Sequence, residues 1–178
     1  MRLTIAANEI STADGHVNAY EVRNALLIEK RKARVRYKNG VTEPASAQKL
    51  RVDAERMARH ARILARNIKN ATGQAKHMDW DAHHIVALTA KEARLSREQL
   101  FGWGIGINDV DNGIYLPRKR YTALPGFPNA SPHENVHTSR YYLEVTDRLL
   151  AVADERAPRA RLELRGMKSD LVAGTFPY

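Results

Sequence analysis

The sequence contains no cysteine. That absence excludes disulfide frameworks, thiolate zinc sites and cysteine nucleophiles, leaving His, Asp and Glu as the side chains able to ligate a metal. It does not fix a compartment, because a chain without cysteine has nothing to mispair in an oxidising space. No apolar run reaches membrane-spanning length. The opening residues MRLTIAANEISTADGHVNAY lack the charged start and continuous apolar core of a signal peptide. The expectation is a soluble protein whose export, if any, uses a route that reads another signal. Internal repeats and low-complexity tracts are also missing, which argues against a solenoid or a disordered linker.

What is present is enough for a packed core. The 178 residues are 43% hydrophobic, which suits one domain or a small domain with an extension. The net charge of +9 is unevenly placed: residues 1–76 hold 16 Lys and Arg against 7 Asp and Glu, whereas residues 77–178 hold 13 of each. The expected organisation is therefore a basic, mostly helical region 1–76, a core 77–153, and a tail 154–178 that forms a short helix. A basic surface attracts nucleic acid, anionic membrane or an acidic protein partner.

Tyr20–Arg34 has helical composition, while Arg34–Thr42 alternates around Asn39-Gly40, a hairpin signal, and the boundary between the two is open. Across residues 46–71, Leu50, Ala54, Met57, Ala61, Leu64 and Ile68 recur at helical spacing and predict one amphipathic helix ended by Thr72-Gly73. Arg59, Arg62, Arg66 and Lys69 fall on its opposite face, either solvated or set against a phosphate backbone. No aromatic residue interleaves them to stack on bases. His84-Ile85-Val86 reads as a short strand. Capping-box patterns at Thr89/Glu92 and Ser96/Gln99 predict two helical pieces, Ala90–Leu95 and Arg97–Phe101. Asp111-Asn112-Gly113 is a turn before the apolar Ile114–Leu116, closed by Pro117; residues 118–131 have loop composition. Ser131-Pro132-His133-Glu134 combines an N-cap, a first-turn proline and a capping-box acid, predicting a helix from His133 through Ala153. A last helix is expected over 159–173.

Four histidines then stand out. On a helix, His133 and His137 project from one face with Cβ atoms about 6 Å apart, close enough for both imidazoles to reach one metal ion. Adjacent histidines in a strand, His83 and His84, point to opposite faces, so one can ligate while the other faces substrate. Phosphodiester hydrolysis wants that division: a cation on the scissile phosphate and a separate neutral His to take a proton from water. Asn112 would serve as an orienter, clamping the connecting loop and fixing the catalytic imidazole through backbone contacts. Asp79 and Asp81 are either outer partners of the site or exposed. Trp80, Trp103 and Tyr141 read as core or lip residues, and Arg118, Lys119 and Arg120 as a solvated loop or a phosphate contact.

Asp81-Ala82-His83-His84-Ile85-Val86, then Asn112-Gly113-Ile114-Tyr115-Leu116-Pro117, then His133, His137 and Tyr141 resemble the AHH branch of the HNH/endonuclease VII superfamily over about residues 77–153. The resemblance implies a mainly helical α+β fold around a ββα-metal core, with a long insertion between the His-His strand and the Asn turn. It implies that His83, His133 and His137 hold one divalent ion, that His84 is the general base, and that Asn112 is the central structural asparagine. Zinc, nickel, magnesium and manganese are all candidates; three imidazoles favour zinc or nickel in affinity, whereas magnesium prefers oxygen. Members of this branch are commonly toxic tips of bacterial secreted effectors, held in check by immunity proteins. The implied activity is cleavage of DNA before RNA, in the cytoplasm of a target cell, with an acidic immunity protein as partner. A phage or mobile-element endonuclease is an alternative, as is a non-catalytic zinc-stabilised module that binds nucleic acid.

Overall fold

The computed structural model describes residues 19–32 and 34–178. The part of the expected basic region at 1–18 lies outside the described residues. Chain contacts divide the molecule into Met1–Arg34 and Val35–Tyr178. In the first unit, α1 spans Ala19–Lys32. The second unit is a mixed α+β body with helices in the majority. Among the described residues, no helix is long and apolar enough to cross a membrane.

The second unit opens with a short hairpin, β1 (Tyr37–Lys38) and β2 (Val41–Thr42). Asn39 and Gly40 both take positive φ, 49° and 80°, the pair of angles a tight two-residue hairpin turn requires. At Gly40 a Cβ would lie 2.4 Å from the Asn67 carbonyl oxygen, so glycine is required twice over.

The single helix expected over 46–71 is two: α2 (Ala47–Glu55), capped by Ser46, and α3 (His60–Thr72). Side chains account for the break. Buried Asp53 accepts from Arg56 Nε at 2.7 Å and from the Val35 amide at 3.3 Å, and the His60 imidazole takes the Arg56 carbonyl at 3.2 Å. Met57, placed in the apolar stripe by spacing, is fully exposed, and Ala61 is exposed as well. Gly73 ends α3 in the left-handed conformation, as its position implies.

The strand expected at His84–Val86 lies earlier: β3 is Trp80–His84, paired antiparallel with β4 (Gly113–Pro117) in a register that sets His83 opposite Ile114 and His84 opposite Gly113. Ile85 and Val86 continue into the core as buried non-strand residues. Between the strands, the two expected helical pieces are one helix, α4 (Arg94–Gly102). Ser96 caps nothing; it is buried with its hydroxyl 2.9 Å from that of Thr146. A 3₁₀ turn at Val110–Asn112 leads into β4.

α3 packs on the hairpin through Leu64 and Ile68, against Trp80, Ala82 and Tyr115. The main core joins Leu100 and Phe101 of α4, Tyr141, Val145 and Leu149 of α5 (Ser139–Leu150), and Ala160, Leu164, Met167 and Leu171 of α6 (Ala157–Ala173). The expected tail helix is therefore a core element. Arg161 and Arg165 of α6 bond Asp109 and Asp111, fixing the 3₁₀ turn from outside.

The helix expected from His133 begins six residues later. His133–Asn135 form a separate 3₁₀ turn, and α5 starts at Ser139 with Thr138 as its cap, accepting from the Tyr141 amide at 3.1 Å. Neither part of the expected capping box caps this turn: Ser131 is buried with its amide on the Leu171 carbonyl and its hydroxyl without a hydrogen-bond partner among the described residues, and Glu134 accepts from Lys119 Nζ and the Arg120 amide.

Candidate metal centre and cleft

The pleat of β3 sends Trp80 and Ala82 toward α3 and leaves Asp81 and His83 for the other face. There His83 is buried, with Nε2 2.7 Å from the Tyr141 hydroxyl. The same hydroxyl donates to the Ile85 carbonyl at 3.0 Å. Its one proton is thus committed to a carbonyl that can only accept, so toward His83 the oxygen accepts and Nε2 carries the imidazole proton. The lone pair sits on Nδ1, and Nδ1 is a buried atom with no hydrogen-bond partner among the described residues. A buried nitrogen with an idle lone pair is what a metal ligand looks like before its ion arrives. Burial first, and then the neighbouring His133 and His137, hold His83 well below the ordinary imidazole range, so it remains a neutral donor.

His133 and His137 come to the same place without a helix. Their Nε2 atoms lie 3.1 Å apart, and each ring centroid is 5.2 Å from that of His83. One ring nitrogen from each of the three lies within 4.8 Å of the others, a cluster able to hold a metal ion. Asp81, on the same face of β3 as His83, places Oδ2 3.2 Å from His133 Nδ1. A carboxylate can only accept, so His133 keeps Nε2 free toward the cluster, the usual carboxylate–histidine support of a ligand. The Tyr142 hydroxyl lies 3.0 Å from His137 Nδ1. Burial, then His133, lowers the affinity of His137 for a proton. The donor set therefore fits one divalent ion.

His84 sits beside this cluster on a cavity of about 470 Å³, lined also by Ala61, Ala82, the 87–90 loop, His133, His137 and Tyr142. Burial pushes His84 down to about 4, against an opposing hydrogen bond from its Nε2 to Asn108 Oδ1 at 3.0 Å. At neutral pH it is therefore in its neutral form, with one ring nitrogen carrying a lone pair.

Asn112 is fully buried and touches neither imidazole. Its Oδ1 accepts from the Val86 amide at 2.8 Å, its Nδ2 donates to the Ile107 carbonyl at 2.8 Å, and its own carbonyl accepts from Ile85. The side chain thus ties together the two ends of the excursion between the strands, gripping it two residues beyond the His-His pair. Direct contact with His84 belongs to Asn108, which spacing did not single out; nor did it single out His60, 2.9 Å from Asn108 on its other side. Both act across more than 20 residues of sequence, where no periodic signal exists. Tyr141, read as core or lip, is in contact with His83.

The cations divide. Arg118 lies 3.3 Å from Asp81 and Lys119 2.9 Å from Glu134, so this loop borders the cluster. Arg120 joins it through its backbone. Arg59, Arg62, Arg66 and Lys69 are exposed on or beside α3. The helix starts at the cleft with Ala61, and Arg66 and Lys69 follow roughly one and two turns further on.

A family model described as a nuclease family of the HNH/ENDO VII superfamily with conserved AHH matches residues 64–165, more than half of the chain. Comparison with curated proteins and with solved structures gave no match.

Proposed function

The chain belongs to the AHH nuclease family of the HNH/ENDO VII superfamily, and from that premise we propose that it is a metal-dependent endonuclease cutting DNA in preference to RNA. The observation that carries this reading is the meeting of His83, His133 and His137, from distant parts of the chain, within 4.8 Å, beside His84 on an open cleft. β3, β4 and the 133–150 segment then form the ββα-metal core, with α4 and its flanking loops as the insertion. A divalent ion held by the three imidazoles would neutralise charge on the scissile phosphate and the departing oxygen. Zinc or nickel suits the nitrogens best, with magnesium or manganese as working alternatives.

The remaining chemistry belongs to the chain. His84, neutral at working pH, accepts a proton from the attacking water. Asn112 holds the loop that fixes His84 in place. Arg118 and Lys119 bind the flanking phosphates, and Arg59, Arg62, Arg66, Lys69 and Arg120 extend the cationic surface that attracts a polyanion. Three protein nitrogens match the ligand number of catalytic sites, whereas closed structural zinc sites use four. That count weighs against the non-catalytic module.

The biological reading that fits is a bacterial effector acting in a target cell and neutralised by an acidic immunity protein. The net charge of +9 supports an acidic partner by charge complementarity. Supercoiled plasmid incubated with each ion, with and without chelator, tests the activity. Nicking that chelator abolishes is expected, and His84→Ala is expected to lose nicking while binding metal normally. Equal nicking by His84→Ala would remove it from the role of base.

A further inference from the structure

His60 lies outside the matched family region, on the far side of Asn108 from His84. We propose that His60 is a positioning residue that, through Asn108, keeps the proton of His84 on Nε2 and so leaves the Nδ1 lone pair as the base. The inference rests on the reading of His84 as general base.

The sequence of constraints starts at a backbone carbonyl. His60 Nε2 is 3.2 Å from the Arg56 oxygen, which can only accept, so Nε2 carries the proton. With a single ring proton, held at Nε2, His60 presents a lone pair at Nδ1, 2.9 Å from the Asn108 amide nitrogen. That contact is satisfied only when the amide NH2 faces His60, which turns the amide oxygen to His84 Nε2 at 3.0 Å. An oxygen acceptor there requires a proton on His84 Nε2, and in a neutral imidazole the lone pair must then be on Nδ1.

An asparagine amide has nearly the same shape either way round, so Asn108 alone selects neither tautomer. Reversed, its oxygen would meet the His60 lone pair, two acceptors with no proton between them. His60, Asn108 and Asn67 are all buried. The Asn108 backbone is itself held, its carbonyl accepting from Asn67 Nδ2 at 2.8 Å. The break between α2 and α3 acquires a purpose here, because it lets the Arg56 carbonyl meet the His60 ring.

The test uses the full chain, zinc-loaded and carrying nitrogen-15-labelled histidine. Imidazole nitrogen spectra of the wild-type protein should show the His84 proton on Nε2. In His60→Leu the tautomers should mix, and kcat should fall about 10- to 100-fold, the usual effect of losing an outer partner, with KM and zinc affinity unchanged. His60→Gln, which again offers one acceptor and one donor, should recover most of the rate. A proton on His84 Nδ1 in the wild-type protein overturns the proposal without recourse to any variant. So does a folded His60→Leu variant with wild-type kcat. If the wild-type protein cuts no nucleic acid with any divalent ion, yet its Nε2 proton is seen and is lost in His60→Leu, the nuclease reading falls and the relay stands.

Discussion

The Tyr141 hydroxyl stands between His83 Nε2, at 2.7 Å, and the Ile85 carbonyl, at 3.0 Å, and so decides which nitrogen of His83 faces the ligand cluster. Burial raises Tyr141 well above the usual phenol range, so it is always a hydroxyl in the folded protein. Tyr141→Phe keeps the ring in the core but removes the acceptor for His83 and the donor for Ile85. Zinc affinity measured by calorimetry should drop about 10- to 100-fold, with a stability loss of roughly 1–3 kcal/mol for the stranded groups. Unchanged affinity would mean that His83 orients itself.

Asp81 does for His133 what Tyr141 does for His83, at a site less deeply buried. Asp81→Asn retains the shape but not the charge, and its amide nitrogen can donate where the carboxylate only accepted. Metal affinity should fall about tenfold. Arg118→Ala removes one of the two cations, with Lys76, that also pair with Asp81, and should leave metal affinity alone while weakening binding of DNA, more so at low salt than high. Equal metal affinity for Asp81→Asn and wild type would dismiss the support role.

Asn112 is expected to matter through the backbone. Asn112→Asp loses the amide donors to Ile107 and Val86 and places a carboxylate against those carbonyl oxygens in a fully buried site. A loss of about 3 kcal/mol or more in urea unfolding should follow. In the wild-type protein the Val86 amide, bonded to Asn112 Oδ1, should be among the slowest to exchange. Rapid exchange there at native pH would show that the clamp is not formed in solution.

Asp111 gives the fold an acid limit. Burial alone would raise its carboxyl, but Arg165 and Arg161 together outweigh that and hold it below the ordinary carboxylate value. A depressed folded-state value means that the unfolded chain takes up the proton first as pH falls. The contribution to stability is therefore complete above the unfolded value, near 3.8, and drains away as pH descends from there through the lower folded value. Asp111→Asn should cost about 2 kcal/mol at neutral pH, for charge-assisted hydrogen bonds lost, and should flatten the acid end of the stability curve. A parallel pH dependence in the two proteins would assign the acid limit to another group.

The chemistry was more legible in the sequence than the backbone that delivers it. His83, His84, Asn112, His133 and His137 stand out by type and order, and the structure gathers all but Asn112 around one cleft. The carrier of His133 and His137 is hidden in the sequence because Ser131, Pro132 and Glu134 mimic a helix start. The Ser131 hydroxyl caps nothing, its amide bonds Leu171 of α6, and Glu134 is held by the basic loop, partners distant in sequence. The α2–α3 break was hidden for a similar reason: the apolar period runs through it, and only the buried Asp53 with Arg56 and His60 interrupts it. Local patterns report local energies, whereas both of these features turn on partners supplied by tertiary contact.

Where the chain can be cut follows from the same packing. Removing residues 1–34 takes away α1 and leaves every residue of the two buried clusters, which begin at Val35. That truncated protein should fold and bind zinc with the affinity of the full chain. Cutting at residue 77 is a different operation. It strips Leu64 and Ile68 from the hairpin face of Trp80, Ala82 and Tyr115, and it removes Leu50 from the main core. Each such aliphatic side chain contributes about 1.5–3 kcal/mol by burial, so the three together rival the whole stability of a small domain. The cut also takes Asn67 and His60 from Asn108, leaving buried polar atoms beside His84 without partners. A fragment of residues 77–178 should therefore lack cooperative thermal unfolding and bind zinc weakly, although it contains all four histidines of the cleft. Circular dichroism and zinc titration on the two truncations decide the matter: a folded, zinc-binding 77–178 fragment would show that α2 and α3 are accessories to the centre and not its wall.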